Sequence, residues 1–320
     1  MFRAALLLAC AALTGAALAQ SRYSFTYQAT GDRAPLTATF TATGVPADQR
    51  VVWDFGDRTP PATGATTTHT YYQPGTYSVN VQIQDRLGTV AQGRMNLRVE
   101  SAGAEAARLT LLFGNGDVTL SSVGSVAYAS TQAAFTLDGR PSSARAAVGE
   151  GTHTARVTLT GTRAPLSANV NFRTSRVTER EAFNLEVLRL TNDARARGWN
   201  CDLKRYGGAP QPALRRNAQL DVAARSQSIG MAANNYFAHE SPVDGSRPAD
   251  RVHASGYDYR ATGENIAAGQ RSPQEVVNGW LNSHGHCVNI MGDYTEIGLS
   301  YAERPGSTYG TYWTQIFGRK

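Results

Sequence analysis

Lysine is nearly absent: of 31 basic residues only Lys204 and Lys320 are lysine, and the other 29 are arginine. The formal net charge of +6 invites nucleic acid or anionic surface polymers as partners. The arginines are spread along the chain, however, and no motif interleaves them with aromatics, so nucleic acid is not expected and a weakly cationic exterior is. Long apolar runs are missing too. After the first 19 residues nothing approaches the roughly 20 apolar residues of a membrane-spanning helix, and the chain closes on Gly318-Arg319-Lys320, so no transmembrane anchor is expected. Cysteine is limited to Cys10, Cys201 and Cys287. Neither a His-Glu-x-x-His helix nor a nucleophile elbow occurs, so no hydrolase motif declares itself.

What is present begins with a leader. Met1-Phe2-Arg3, an apolar run from Ala4 to Ala12, and Ala17-Leu18-Ala19 have the three regions of a secretory signal peptide over residues 1–19. The mature chain is expected to begin near Gln20 and to be extracellular, periplasmic or associated with the cell envelope. A lipoprotein reading of Leu7-Leu8-Ala9-Cys10 leaves an apolar region of about six residues, below the usual range of roughly 7 to 15. Cleavage removes Cys10, and in an oxidising compartment Cys201 and Cys287 are most simply one disulfide. It closes a loop of about 86 residues, worth roughly 4 to 5 kcal/mol in the chain-entropy model.

At roughly 100 to 200 residues per domain, 320 residues suggest two or three units. Residues 21–100 read as strands: Tyr77, Val79, Val81 and Ile83 share one face while Ser78, Asn80 and Gln82 share the other. Pro74-Gly75 supplies the preceding turn. The segment Val51-Val52-Trp53-Asp54-Phe55-Gly56-Asp57, followed by His69-Thr70-Tyr71 and Pro-Gly-Thr-Tyr, resembles a polycystic kidney disease (PKD) domain. That resemblance implies an immunoglobulin-like sandwich acting as a spacer or adhesive module. Trp53 and Phe55 are expected in its core, and Asp54 and Asp57 are expected to cap a turn beside Gly56, not to bind calcium.

After a small-residue linker at 101–107, alternation resumes through Leu109-Leu111-Phe113, Val118-Leu120, Val126-Tyr128, Phe135-Leu137 and Val157-Leu159. A second β-sandwich-like module is expected over 108–175, with His153 at a strand edge. From Thr178 the pattern turns helical. Thr178-Glu179-Arg180-Glu181 reads as a capping box, and Phe183, Val187, Leu190 and Ala194 recur at helical spacing before Gly198. A second helix is expected after Pro212, with Leu214, Ala218, Val222 and Ile229 on one flank and Leu220, Ala224 and Met231 on another. Strands are expected at Glu296–Tyr301 and Tyr309–Phe317, giving an α+β domain over 178–320.

Residues from about 180 onwards carry Tyr236-Phe237-Ala238-His239, Ser241-Pro242-Val243-Asp244-Gly245, Gly256-Tyr257, Gly263-Glu264-Asn265-Ile266-Ala267, Gly279-Trp280-Leu281-Asn282-Ser283, Gly285-His286, Thr295-Glu296-Ile297-Gly298 and Tyr312-Trp313-Thr314-Gln315. These motifs resemble the cysteine-rich secretory, antigen 5 and pathogenesis-related superfamily, the CAP domain, in its bacterial form. The resemblance implies an α-β-α sandwich with a cleft in which His239, Glu264 and His286 converge. Many eukaryotic members add a second glutamate before the last histidine, where this chain has Asn282, Ser283 and His284. Glu240, Glu296 or His284 are the available substitutes.

Three chemistries fit such a trio. His239 and His286, with or without Glu264, are candidate ligands for Zn2+, which would acidify a bound water. Alternatively Glu264 orients a histidine as general base towards water or a hydroxyl such as Ser241 or Ser283. In the third, the residues form a buried hydrogen-bond network that holds the motif loops together. Trp280, Tyr257 and Tyr259 are expected in the core. The expected function is recognition, through this cleft, of an envelope polysaccharide, lipid or protein ligand. The alternatives are a protease-like hydrolase using His239, Glu264 and His286, and a polysaccharide adhesin acting through the β-modules.

Overall fold

The computed structural model describes residues 22–320. The expected leader at 1–19 and Cys10 lie outside them. The described residues fall into two compact units, one comprising 22–105 with 126–130 and the other 106–125 with 131–320.

The first unit is a sandwich of two antiparallel sheets. Ser24–Ala29, Leu36–Thr43 and Thr66–Tyr71 form one, and Ala62–Thr63, Arg50–Asp54, Gly75–Asp85 and Gly88–Val99 the other. Alternation dictates the interior: Leu36, Ala38, Phe40 and Ala42 from one sheet meet Val51, Trp53, Val79 and Val81 from the other. Trp53 and Phe55 are buried there as expected. Asp54 accepts from the Gly56 N–H at 3.0 Å and Asp57 from the Thr59 N–H at 3.1 Å, so both aspartates serve turns. Asp57 also holds His69 Nε2 at 2.7 Å. Val126–Tyr128 is not a strand. Tyr128 packs against this core, and its hydroxyl donates to Gly103 O at 2.6 Å.

In the second unit, Arg145–Ala147, Asp117–Ser121 and Thr110–Phe113 form one antiparallel sheet. Arg140–Ser142, Gln132–Leu137, Gly151–Thr160 and Leu166–Thr174 form another. His153 lies within the Gly151–Thr160 strand, which pairs on both sides, and its Nδ1 meets Asp138 at 2.8 Å. It is therefore a sheet residue, though not on an edge strand. The core between these sheets, Leu111, Phe113, Val157 and Phe172 among others, runs on without interruption into Ile229, Met231 and Tyr312.

The C-terminal part has three layers. Its central sheet is ordered Arg215–Arg216, Glu296–Glu303, Thr311–Arg319, Ala261–Ala268, with only the first pair parallel. Helix α1 (Glu181–Arg197) lies on one face together with α4 (Pro273–Leu281) and α5 (His284–Ile290). Helix α2 (Ala218–Asn234) and α3 (Pro248–Ala254) cover the other face. Strand alternation sorts the contacts: Ile297, Leu299, Tyr301, Trp313 and Phe317 point to α1 and α4, while Gly298, Ser300 and Ala302 face α2. The small residues let α2 approach closely, with Ser228 Oγ 2.8 Å from Thr314 Oγ1.

Two local expectations are corrected. Thr178 is not an N-cap: it exchanges main-chain hydrogen bonds with Glu303 at 2.8 and 2.9 Å, α1 is capped by Arg180 without a side-chain bond, and Glu181 turns to Arg216. A sheet partner outcompetes the local cap. The second helix starts at Ala218 behind the N-cap Asn217, which accepts from Gln219 and Leu220, so Leu214 precedes it. Val222 is exposed on the outer side of α2.

Candidate functional site in the C-terminal domain

Glu264 sits in the Ala261–Ala268 strand with its side chain 2% exposed. A carboxylate at that depth requires partners. Arg251 on α3, equally buried, donates Nη2 to Glu264 Oε2 at 2.8 Å, and His239 Nδ1 meets Oε1 at 2.7 Å. The same guanidinium donates to Ser246 O and to His239 O, both at 2.9 Å. Arg251 therefore grips the carboxylate and the main chain of the His239 loop together, and its buried Nε has no hydrogen-bond partner among the described residues. With Nδ1 donating to a carboxylate, the neutral ring carries its lone pair on Nε2. The His239 side chain is 52% exposed, so this ring is the accessible member of the cluster.

His286, on α5, is half-buried, and its position depends on an amide ladder. Asn265 donates Nδ2 to His286 O at 3.1 Å and to Gln315 Oε1 at 3.1 Å, and Gln315 in turn donates to Thr191 Oγ1 of α1 at 2.8 Å. Asn289 donates to Glu264 O at 3.2 Å and to Asn265 Oδ1 at 2.9 Å. Two further ties fix α5. The Cys201–Cys287 disulfide joins it to the loop after α1, and buried Arg195 donates to Ile290 O at 2.6 Å and to Gly292 O at 2.9 Å. Burial lowers the His286 pKa below its ordinary value of 6.5, and the neighbouring His239 charge acts in the same direction.

The structure thus brings His239 and Glu264 into direct contact and sets His286 within electrostatic reach of His239. The proposed substitutes for a second glutamate lie elsewhere. Glu240 is exposed and pairs with Arg247 at 3.2 Å, because it follows His239 on the outer side of the loop. Glu296 accepts from the Tyr257 hydroxyl at 2.6 Å and from Asn217 at 3.0 Å. His284 turns outwards to Asp202 at 3.1 Å. Ser241 is buried, and its hydroxyl accepts from the Val243 N–H at 3.3 Å, within its own loop. Ser283 occupies the N-cap of α5 without a side-chain cap bond. Trp280 and Tyr257 are in the core as expected, and Tyr259 packs against it.

Among the described residues no three His, Cys, Asp or Glu side chains converge as a cation site. Each Glu264 oxygen accepts one hydrogen bond, from His239 and from Arg251, so the cluster presents two imidazoles and a carboxylate already oriented by its partners. The Glu264–His239 pair has the form of an oriented general base. No serine, threonine or cysteine side chain hydrogen-bonds to His239 among the described residues, and the Arg251 charge balances that of Glu264.

Arg251, Arg195 and Asn289 gave no signal in the sequence. Asn265 and Gln315 did: each is an amide within an apolar strand run, and a buried amide must find partners.

A model of the cysteine-rich secretory protein family (CAP) matches residues 188–317, and a PKD domain model matches residues 24–99. The uncharacterized protein YkwD of Bacillus subtilis is 38% identical over 160 residues, which is 49% of this chain and 56% of that protein. The uncharacterized membrane protein YlbC of the same organism is 37% identical over 95 residues, 29% of this chain and 25% of that protein. The chain therefore spans about half and a quarter of the lengths of these relatives. Among solved structures, an outer surface protein of Borrelia burgdorferi is 21% identical, covering 46% of this chain and 99% of that one, with a TM-score of 0.37. An extracellular SCP-domain protein of Bacillus anthracis is 18% identical, covering 78% and 84%, with a TM-score of 0.36. Residues 188–317 are a CAP domain of the cysteine-rich secretory protein family, and they follow a PKD domain at residues 24–99.

Proposed function

We propose that this is an exported protein whose CAP domain recognises a cell-envelope polysaccharide at the surface presented by His239 and His286 over buried Glu264, with the PKD domain as spacer or adhesive. The carrying observation is that both Glu264 oxygens are held, by Arg251 and by His239, in a buried network that leaves the His239 imidazole exposed. Such a network holds a recognition surface in place, and no serine, threonine or cysteine side chain among the described residues hydrogen-bonds to His239 as a protein nucleophile would. Two residues before His239, exposed Phe237 lies 5.6 Å from the ring of Tyr309, itself exposed. The two rings are tilted by 56° to each other, and each exposed ring offers an apolar face for the C–H face of a sugar. Export agrees with the Cys201–Cys287 disulfide, which persists in oxidising compartments. No helix among the described residues is long and apolar enough to cross a membrane.

The test is co-sedimentation of the full mature chain with purified peptidoglycan sacculi, wild type beside His239→Ala and Phe237→Ala/Tyr309→Ala, with folding checked by circular dichroism. Wild type is expected to sediment and both variants to lose affinity by about 10-fold or more. Sedimentation that neither variant changes overturns the assignment to this surface.

A further inference from the structure

A second site stands apart from the His239 cluster. An open groove of about 470 Å³ is lined by Arg173, Arg176 and Arg304, with Glu150 and Thr174 beside them. Of the 28 arginines among the described residues ten face a carboxylate and 18 do not, and it is the clustering of three of the latter in one groove that marks this place. The side chains of Arg173, Arg176 and Arg304 form no such ion pair among the described residues. The one acid lining the groove, Glu150, accepts the Arg176 main-chain N–H at 2.7 Å through Oε1, so three guanidiniums face a single carboxylate. Arg304 is fixed by donating Nη1 to Ala232 O at 3.2 Å.

The backbones bearing these guanidiniums are pinned as well. The Arg173 N–H donates to Asn234 Oδ1 at 2.8 Å and its carbonyl accepts from Asn234 Nδ2 at 3.1 Å, tying the end of the Leu166–Thr174 strand to the last turn of α2. The Arg304 N–H donates to Gly310 O at 2.8 Å, closing the hairpin between the last two strands. Three planar cations that outnumber the single carboxylate beside them, carried on fixed backbone, suit the paired oxygens of carboxylates and phosphates. We propose that this groove binds the acidic groups of an anionic glycopolymer, either sugar carboxylates or backbone phosphates.

The test uses the full mature chain with fluorescently labelled polygalacturonate, poly(glycerol phosphate) and neutral dextran, titrated at low ionic strength. One or both anionic polymers are expected to bind and dextran is not. Arg173→Ala/Arg176→Ala is expected to weaken binding at least ~10-fold. Arg86→Ala/Arg140→Ala, which removes equal charge from exposed positions outside the groove, is expected to stay within about 2-fold of wild type, and so is His239→Ala. Binding of polygalacturonate alone assigns the site to carboxylates, and of poly(glycerol phosphate) alone to phosphates. Absence of binding, equal binding of dextran, or equal weakening by the Arg86/Arg140 pair overturns the proposal. Retention in His239→Ala separates this site from the recognition surface.

Discussion

Arg251 and Glu264 form a 2.8 Å ion pair in which each side chain is only 2% exposed. Removing one partner strands the other charge. Arg251→Leu is therefore expected to cost about 3 to 5 kcal/mol in urea unfolding, with Arg251→Leu/Glu264→Leu recovering most of it. A wild-type midpoint for Arg251→Leu would show that the pair is not buried in solution.

Gly298 tests the close approach of α2 to the sheet. A Cβ there would lie 2.0 Å from Leu220 C and 2.2 Å from Leu220 O, main-chain atoms that cannot move without displacing the helix. Gly298→Ala is expected to destabilise by more than ~3 kcal/mol or to prevent folding. Gly279→Ala, on the exposed side of α4 with no atom near its Cβ, is expected to stabilise by up to ~1 kcal/mol. Thermal melts followed by circular dichroism compare the two, and equal melting temperatures would refute the packing argument.

The lowered His286 pKa has a defined sign. Its neutral form is favoured by folding, so its contribution is complete above the unfolded-state value of about 6.5 and is lost as pH falls through the folded value below it. Unfolding midpoints for wild type and His286→Asn are expected to converge as pH drops from 7 towards 5. A constant difference across that window would rule out the linkage.

The disulfide predicts that the mature chain, denatured without reductant, shows no titratable thiol. Two free thiols per chain would contradict it. Cys201→Ser/Cys287→Ser is expected to lose roughly 4 to 5 kcal/mol, since the bridge closes a separation of 86 residues.

Much of the fold was legible because alternation and helical spacing are local. Tyr77 to Ile83 announced a half-buried strand, and Val187, Leu190 and Ala194 announced the inner face of α1. The trio His239, Glu264 and His286 was legible from motifs. What stayed hidden depends on distant partners: Thr178 reads as a cap until Glu303 arrives beside it, and Arg251 reads as a surface residue until Glu264 is buried against it. The same holds for the second glutamate, where composition offered Glu240, Glu296 and His284 and tertiary partners claimed all three.

The Phe113 N–H donates to Ser226 Oγ at 3.0 Å, Ser226 Oγ donates to Leu111 O at 3.2 Å, and the Leu111 N–H donates to Asp244 Oδ2 at 2.7 Å. Asp244 belongs to the loop just after His239, so part of what shapes that loop comes from residues outside the matched CAP region. This CAP region is consequently not an interchangeable cassette. A recombination that moved residues 188–317 alone into another protein would carry every recognisable motif, yet leave Ser226, Asp244 and the apolar side of α2 facing a neighbour never selected to receive them.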